Sequence, residues 1–158
     1  MPNHCHNRVT FYSANTEAVA KLKQIFEDEN CFGQIIPEPD WLNTPLTAET
    51  AGNWLHSKRG EVGELPVKVE GDYGISRRFQ STGKADDRWY DWRVQNWDTK
   101  WDCYDVVVTD DDPEQVEIEF NTAWSPPEAI CNAIREQYPD LSVSWFYDEP
   151  GCEIAGYL

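Results

Sequence analysis

QVEIEFNTAWSPPEAICNAIREQYPDLSVSWFY, residues 115–147, is the stretch of sequence that decides the fold. Apolar and polar residues alternate from Val116 to Phe120, which predicts a half-exposed strand with an acidic outer face. Ser125-Pro126-Pro127 predicts a helix start, with Ser125 as the N-cap and Pro126 at the first helical position. Residues 141–147 alternate again. The stretch is therefore typical of a strand, a helix and a second strand in succession.

The flanking segments complete a mixed α+β pattern. His4 to Tyr12 predicts a first strand, and apolar residues at helical spacing between Val19 and Phe26 predict a helix after it. Residues 101–109 predict another strand, closed by an Asp110-Asp111-Asp112-Pro113 turn, and residues 152–157 predict a last short strand. This order gives a ferredoxin-like βαββαβ antiparallel sheet with helices on one face, a long insertion after the first helix and an extra C-terminal strand. We expect a single domain over residues 1–158, with the insertion at about 30–100.

The insertion has a weaker pattern than the rest of the chain. Cys31-Phe32-Gly33 is expected to stop the first helix, because glycine favours the left-handed conformation of a helix end. Residues 47–56 and 86–96 predict helices. Residues 57–84 contain many glycines and show little periodicity, so we expect this region to be the most mobile.

Negative charge is concentrated in the last third of the chain. The formal net charge is −16. Residues 1–100 hold 15 acids and 12 bases, a net of −3, whereas residues 101–158 hold 14 acids and one base, Arg135, a net of −13. Such a surface repels nucleic acids and anionic membranes, so we expect neither to be a direct partner. There is no apolar signal-peptide core and no apolar run near the roughly 20 residues of a membrane span, which predicts a cytoplasmic protein.

Three motifs carry a family resemblance. They are Met1–Asn7, the block Trp89-Tyr90-Asp91-Trp92 with Asn96–Asp102, and Phe120–Pro127. They resemble the MPNWCxN, W-Y-x-W…N-W-G-T-K-W-D and F-x-T-A-W-S-P-P signatures of the YubB-like family of phage and plasmid proteins, whose C-terminal domain is ferredoxin-like. His4 replaces the usual tryptophan, and Asp98 replaces the usual glycine. If that glycine has a positive φ in relatives, aspartate can still adopt the conformation, at some cost. The resemblance implies a mobile-element origin and a role against host defences, and it brings no catalytic residue with it.

The acidic last third has two interpretations. It is either a solvated surface that confers solubility, or an array of carboxylates that substitutes for phosphates in a basic groove of a partner. We favour the second, a non-catalytic inhibitor of a host nucleic-acid-binding defence complex such as a CRISPR effector or a restriction enzyme, with the oligomeric state left open. The expected contact residues are Asp110, Asp111, Asp112, Glu117, Glu119, Glu128 and Glu136.

The tryptophan-rich motifs also have two interpretations. They either pin the insertion to the sheet by aromatic packing, or form a pocket for a small ligand or a peptide, which is the alternative function. The expected pocket residues are Trp89, Trp92, Asn96, Trp97, Thr99, Lys100 and Trp124.

Catalytic and metal-binding signals are weak. Five cysteines at wide spacing, with no CxxC, are typical of free buried thiols. A strand would place His4 and His6 on one face and Cys5 on the other, and the sequence specifies no further ligand. No nucleophile elbow, phosphate loop or dinucleotide fingerprint occurs, and acidic surroundings raise the pKa of thiols such as Cys103 and Cys131. We therefore expect no enzyme activity, no metal and no cofactor.

Overall fold

The computed structural model describes residues 3–47 and 59–158. The chain divides into two compact units, one formed by Met1–Pro37 with Arg93–Leu158 and the other by Glu38–Trp92. In chain order the elements of the described residues are β1 (His4–Tyr12), α1 (Thr16–Glu27), α2 (Cys31–Ile35), β2 (Val67–Gly71), β3 (Gly74–Arg78), α3 (Arg88–Trp97), β4 (Tyr104–Asp112), β5 (Gln115–Ala123), α4 (Glu128–Gln137), β6 (Ser142–Glu149) and β7 (Ile154–Tyr157). None of these helices has the length and apolarity needed to cross a membrane.

The first unit is built on a five-stranded sheet in the order β4-β5-β1-β6-β7. Every neighbouring pair is antiparallel. The first strand lies at the centre, between β5 and β6, as the split βαβ arrangement requires. The order confirms the predicted ferredoxin-like α+β fold, with β7 as the extra C-terminal strand.

The core of this unit lies between the sheet and the helices α1 and α4. Val19, Leu22, Ile25 and Phe26 of α1 are buried, and so are Ile130, Cys131 and Ile134 of α4. The Phe26 ring packs against Phe11, Phe120 and Trp145, at centroid distances of 5.7, 5.2 and 6.3 Å. Alternate residues of the central strands are exposed or half-buried, because their side chains point away from this core. One face of the sheet is thus covered by helices, as predicted.

The predicted turn at Asp110–Pro113 is wrong in its extent. Strand β4 continues to Asp112, and the reversal falls at Pro113 and Glu114. Asp111 and Asp112 pair with Val116 and Gln115, so hydrogen bonding to β5 overrides the local turn preference of the aspartates.

The first helix also ends differently from the prediction. Helix α1 stops at Glu27, and the left-handed residue after it is Asn30, with φ 59°. Gly33 lies inside the short helix α2, which the sequence reading missed. Asparagine tolerates the left-handed region better than most residues, so it provides the break that glycine was expected to provide.

Helix α4 begins at Glu128 rather than at Pro126, and Ser125 does not cap it. The Ser125 hydroxyl instead donates to the carbonyl of Asp98. The Asp98 carboxylate accepts from the Ala129 backbone N–H at 2.8 Å, so a distant side chain satisfies a free donor of the first turn. Asp98 has φ 61°, the positive value expected at a position where the signature has glycine.

The second unit contains a β2–β3 hairpin and a buried ion pair. The hairpin lies within residues 57–84, where the sequence predicted no regular structure; the mobility expected there stays a prediction. Arg88 donates from Nε and Nη2 to both oxygens of Asp86, at 2.9 and 3.1 Å, and its guanidinium lies over the rings of Trp41 and Phe79. Residues 48–56 of the helix predicted at 47–56 lie outside the described ranges.

Candidate functional site

The β4–β5 hairpin is the most strongly charged element of the chain. Between Tyr104 and Ala123 it carries seven carboxylates and no basic residue; the acids are Asp105, Asp110, Asp111, Asp112, Glu114, Glu117 and Glu119. Within the described residues, Asp111 is the only one of the seven in an ion pair, with Lys23 of α1 at 2.6 Å. The other six form no ion pair within the described residues, although one base, Arg8, lies opposite Glu119 in the β1–β5 register.

Strand pairing divides the predicted contact residues between two faces. Asp110 lies opposite Glu117, and Asp112 lies opposite Gln115, so these side chains share the open face of the sheet with Glu119. Asp111 lies opposite the buried Val116 and points to the helix side.

The two helical acids of the prediction do not join the open-face group. Glu128 and Glu136 lie on α4, the helix that covers the other face of the sheet. The structure thus brings together Asp110, Asp112, Glu117 and Glu119, which we call the acidic face, and leaves Asp111, Glu128 and Glu136 outside it.

Hydrogen bonds fix three members of the acidic face. Asp112 accepts from the backbone N–H of Glu114 at 3.1 Å. Glu117 accepts from the hydroxyl of Thr109 at 2.8 Å and from that of Thr10 at 3.3 Å. Asp110 accepts from the Gln115 amide at 2.9 Å. Carboxylates held on paired strands lose little conformational entropy when a partner binds. The acidic face is therefore suited to recognition without rearrangement.

A first cleft lies between α1 and the tip of the hairpin. It has a volume of about 530 Å³, and its ionisable lining residues are Glu17, Lys23, Glu27, Asp111 and Asp112. Four carboxylates against one ammonium group leave this cleft negative, and the Lys23–Asp111 pair closes one side of it.

A second cleft, of about 450 Å³, lies on the open face of the sheet. His6 Nδ1 donates to Asn121 Oδ1 at 2.6 Å, and Asn121 Nδ2 donates to Asp105 at 3.1 Å, which forms a chain across three strands. Asp105 has φ 54° beside a break in the β4–β5 register. Glu119 and Asp148 also line this cleft.

Arg8 is the only Lys or Arg among the residues that line the second cleft, and its guanidinium lies 5.6 Å from the Phe146 ring centroid. The cleft thus combines three carboxylates with one guanidinium and one imidazole, and a cationic side chain fits its charge.

The sequence reading missed most of the second cleft. It placed His4 and His6 together on one face of β1, which the structure confirms, and His4 lies against the Tyr104 hydroxyl at 2.6 Å. It did not anticipate Asn121, Asp105 or Asp148, which come from three other strands. The sequence signalled only that alternate residues of β1 and β5 point away from the core. The strand order, which the sequence does not show, is needed to place Asn121, Asp105 and Asp148 beside His6.

Two residues of the predicted aromatic pocket face the core of the first unit. Trp97 is fully buried in the core of the first unit, where its Nε1 donates to the Ile36 carbonyl, and Thr99 is buried and donates to the Ala123 carbonyl. Neither side chain is thus available to a ligand, which corrects that part of the prediction. Lys100 lies over the Trp101 ring, and Trp124 is 47% exposed. Trp89, Trp92 and Asn96 are half-buried on α3.

The cysteines are free thiols, as expected, but the expected burial holds only for Cys5, Cys31 and Cys131, since Cys103 is half-buried and Cys152 is exposed. Burial raises the pKa of Cys5 to about 11, and burial also raises the pKa of Cys131. The exposed Cys152 has a raised pKa because it hydrogen-bonds to Glu149. Thiols with raised pKa values hold little of the reactive thiolate at neutral pH.

Comparisons with known proteins agree with the fold. Residues 96–158 match a family model described as the ferredoxin-like domain in Api92-like protein. The chain is also similar in structure to a protein api92 from Yersinia pseudotuberculosis, with a TM-score of 0.56 and 10% sequence identity over 99% of this chain and 93% of that one. No curated protein matches the sequence.

Proposed function

We propose that this chain is a non-catalytic binding protein whose β4–β5 hairpin docks on a basic surface of another protein. The observation that carries the proposal is the hairpin's seven carboxylates, with no base among them and one ion pair in the described residues. A surface of one sign accelerates association with a partner of the opposite sign, and it does so in a salt-dependent way.

Two features of the hairpin favour protein recognition over simple solubility. Asp110, Asp112 and Glu117 of the acidic face are oriented by hydrogen bonds. The two clefts that flank β4 are concave and mainly negative, so each offers an arginine or lysine of a partner a partly desolvated place to form charge-assisted hydrogen bonds. Solubility alone requires neither feature.

We propose that the partner is the nucleic-acid-binding groove of a host defence complex, a CRISPR effector or a restriction enzyme. Such grooves bind phosphates through arginine and lysine, and a rigid row of carboxylates offers them a similar charge pattern. The motifs that resemble the YubB-like family of phage and plasmid proteins support a mobile-element origin. This proposal places the protein in the cytoplasm of the host cell.

A binding role is favoured over an enzymatic one by the chemistry of the thiols. Cys5 and Cys131 are buried with raised pKa values, so neither resembles an activated nucleophile. The small-ligand alternative loses support because Trp97 and Thr99 face the core.

A neutralisation experiment tests the proposal. The variant D110N/D112N/E117Q/E119Q removes four charges from the acidic face and keeps the side-chain shapes. Its matched control, E128Q/E136Q/D140N/E153Q, removes four exposed charges that lie outside the hairpin. Purified, guide-loaded CRISPR effectors and purified restriction enzymes are titrated with each protein while their binding to target DNA is measured.

We expect the unmodified protein and the control to displace DNA from one of these complexes, with an affinity that falls as salt rises. The acidic-face variant should lose at least about tenfold in affinity, because about 1.4 kcal/mol of charge interaction is enough for that change. Equal inhibition by the two variants, or an affinity indifferent to salt, would contradict the proposal.

A further inference from the structure

Two cysteines and one aspartate meet away from the acidic hairpin. Cys31 is the first residue of α2, and Asp102 and Cys103 immediately precede β4. Their sulfur and carboxylate ligand atoms all lie within 4.8 Å of one another. In residues 3–47 and 59–158, no other group of three or more histidine, cysteine, aspartate or glutamate side chains converges in this way.

The aspartate of this cluster is held in a fixed orientation. Its Oδ1 accepts from the backbone N–H groups of Phe32, at 3.0 Å, and of Cys103, at 2.8 Å. Its Oδ2 is buried and has no hydrogen-bond partner. A buried carboxylate oxygen without a partner costs free energy, and a bound ion is one of the few explanations for finding it in a folded protein.

We propose that Cys31, Asp102 and Cys103 form a three-ligand site for a thiophilic divalent cation, with Zn²⁺ as the first candidate. Thiolates select zinc over magnesium and calcium, and a carboxylate completes such sets. Zinc–sulfur bonds of about 2.3 Å and zinc–oxygen bonds of about 2.1 Å need ligand separations of roughly 3.5 Å, and the ligand atoms lie within 4.8 Å of one another, so the cluster contracts by up to about 1.3 Å around the ion.

Solvent reaches the cluster at Cys103, which is only half-buried, whereas Cys31 is buried. A water molecule would supply the fourth ligand of a tetrahedral site. On binding, each ionising thiol releases its proton to solvent and the cation takes its place. The site links the start of α2 to the segment before β4, two parts of the chain that are about 70 residues apart in sequence. It is independent of the proposed function, because none of its ligands belongs to the hairpin.

The test uses the full-length protein, reduced and freed of metal by a chelator. Isothermal titration with Zn²⁺ measures stoichiometry and affinity, and Co²⁺ serves as a spectroscopic probe, since thiolate ligation produces sulfur-to-cobalt charge-transfer absorption. We expect one equivalent of either metal to bind and Co²⁺ to show that absorption. Cys103→Ser and Asp102→Asn should each lower the Zn²⁺ affinity at least about tenfold, since even residues behind the ligands have effects of that size.

Cys152→Ser is the matched control, because it removes an exposed thiol outside the cluster and should bind like the unmodified protein. A further measurement is independent of any substitution: Zn²⁺ should protect Cys103 from alkylation and leave Cys152 reactive. The proposal is overturned if the reduced protein binds no Zn²⁺, if Co²⁺ binds without sulfur absorption, or if both cluster variants keep the original affinity. Formation of a Cys31–Cys103 disulfide by the oxidised protein, without metal binding by the reduced one, also overturns it.

Discussion

Asp98 supports the start of α4 from a distant part of the chain, and replacing it tests this arrangement quantitatively. Its carboxylate accepts from the Ala129 N–H at 2.8 Å, while Pro127, the residue at the N-cap position, makes no side-chain capping bond. Its backbone is left-handed, with φ 61°. A substitution can therefore remove the cap, change the backbone strain, or do both.

The magnitudes follow from these two contributions. Loss of an N-cap acceptor costs about 1 kcal/mol, and a left-handed alanine costs about 1 kcal/mol more than aspartate, which tolerates that region. Asp98→Ala should therefore lower the free energy of unfolding by about 2 kcal/mol. Asp98→Gly also loses the cap, but glycine adopts the left-handed backbone without strain. The greater flexibility of glycine in the unfolded chain offsets that relief, so the free energy of unfolding should fall by about 1 kcal/mol. Asp98→Asn keeps an acceptor and should lose about 0.5 kcal/mol of dipole interaction.

Urea denaturation followed by tryptophan fluorescence and by circular dichroism measures these differences, and coincidence of the two transitions checks for two-state behaviour. The expected order of stability is Asp, Asn, Gly, Ala. If the glycine variant were less stable than the alanine variant, the strain argument would be wrong. If alanine were as stable as aspartate, the bond to Ala129 would contribute nothing.

Three other changes test the buried thiols and the buried ion pair. Burial raises the pKa of the Cys5 thiol from 9.0 to about 11. The unmodified protein should therefore lose up to about 2–3 kcal/mol of its unfolding free energy as the pH rises from about 9 to 11, because the unfolded chain ionises this thiol first. Cys5→Ser removes the thiol and should flatten that fall. Urea midpoints across this range decide it, and parallel curves for the two proteins would refute it. Iodoacetamide should label the exposed Cys152 before the buried Cys5 and Cys131, as peptide mass spectrometry can show; early labelling of Cys131 would contradict its burial. Asp86→Ala should cost about 3–5 kcal/mol in thermal or urea unfolding, because it leaves the 3% exposed Arg88 without its bidentate partner, and a loss below about 1 kcal/mol would count against this account.

The parts of the fold that were predictable are those in which local pattern and long-range packing agree. The alternation from Val116 to Phe120 placed the buried and exposed faces of β5 correctly, because one face of that strand packs on the helices. The helical spacing from Val19 to Phe26 likewise gave the buried stripe of α1. In both segments the sequence period is the period of burial.

The errors occurred where a distant segment decides the local structure. Three successive aspartates and a proline favour a turn, yet pairing with β5 extends β4 to Asp112. Ser125 has the chemistry of an N-cap, yet the carboxylate that reaches α4 belongs to Asp98. The Cys31, Asp102 and Cys103 cluster was hidden for the same reason, because its members come from two separate parts of the chain that only the fold brings together.

The position of the carboxylates separates two explanations of the acidic hairpin. Strand β4 is an edge of the sheet, and charged residues on an edge strand discourage pairing with other chains, which accounts for Asp110 and Asp112 without any partner. It does not account for Glu117 and Glu119, because β5 is paired on both sides and has no edge to protect. Nor does it account for Asp148, which lies on another interior strand and lines the second cleft. Charges on the open face of interior strands do little to prevent one edge strand from pairing with another chain. A partner protein that covers the open face, in contrast, would contact all of these charges at once. The interior acids, more than the edge acids, are therefore the residues whose neutralisation distinguishes a docking surface from a protected edge.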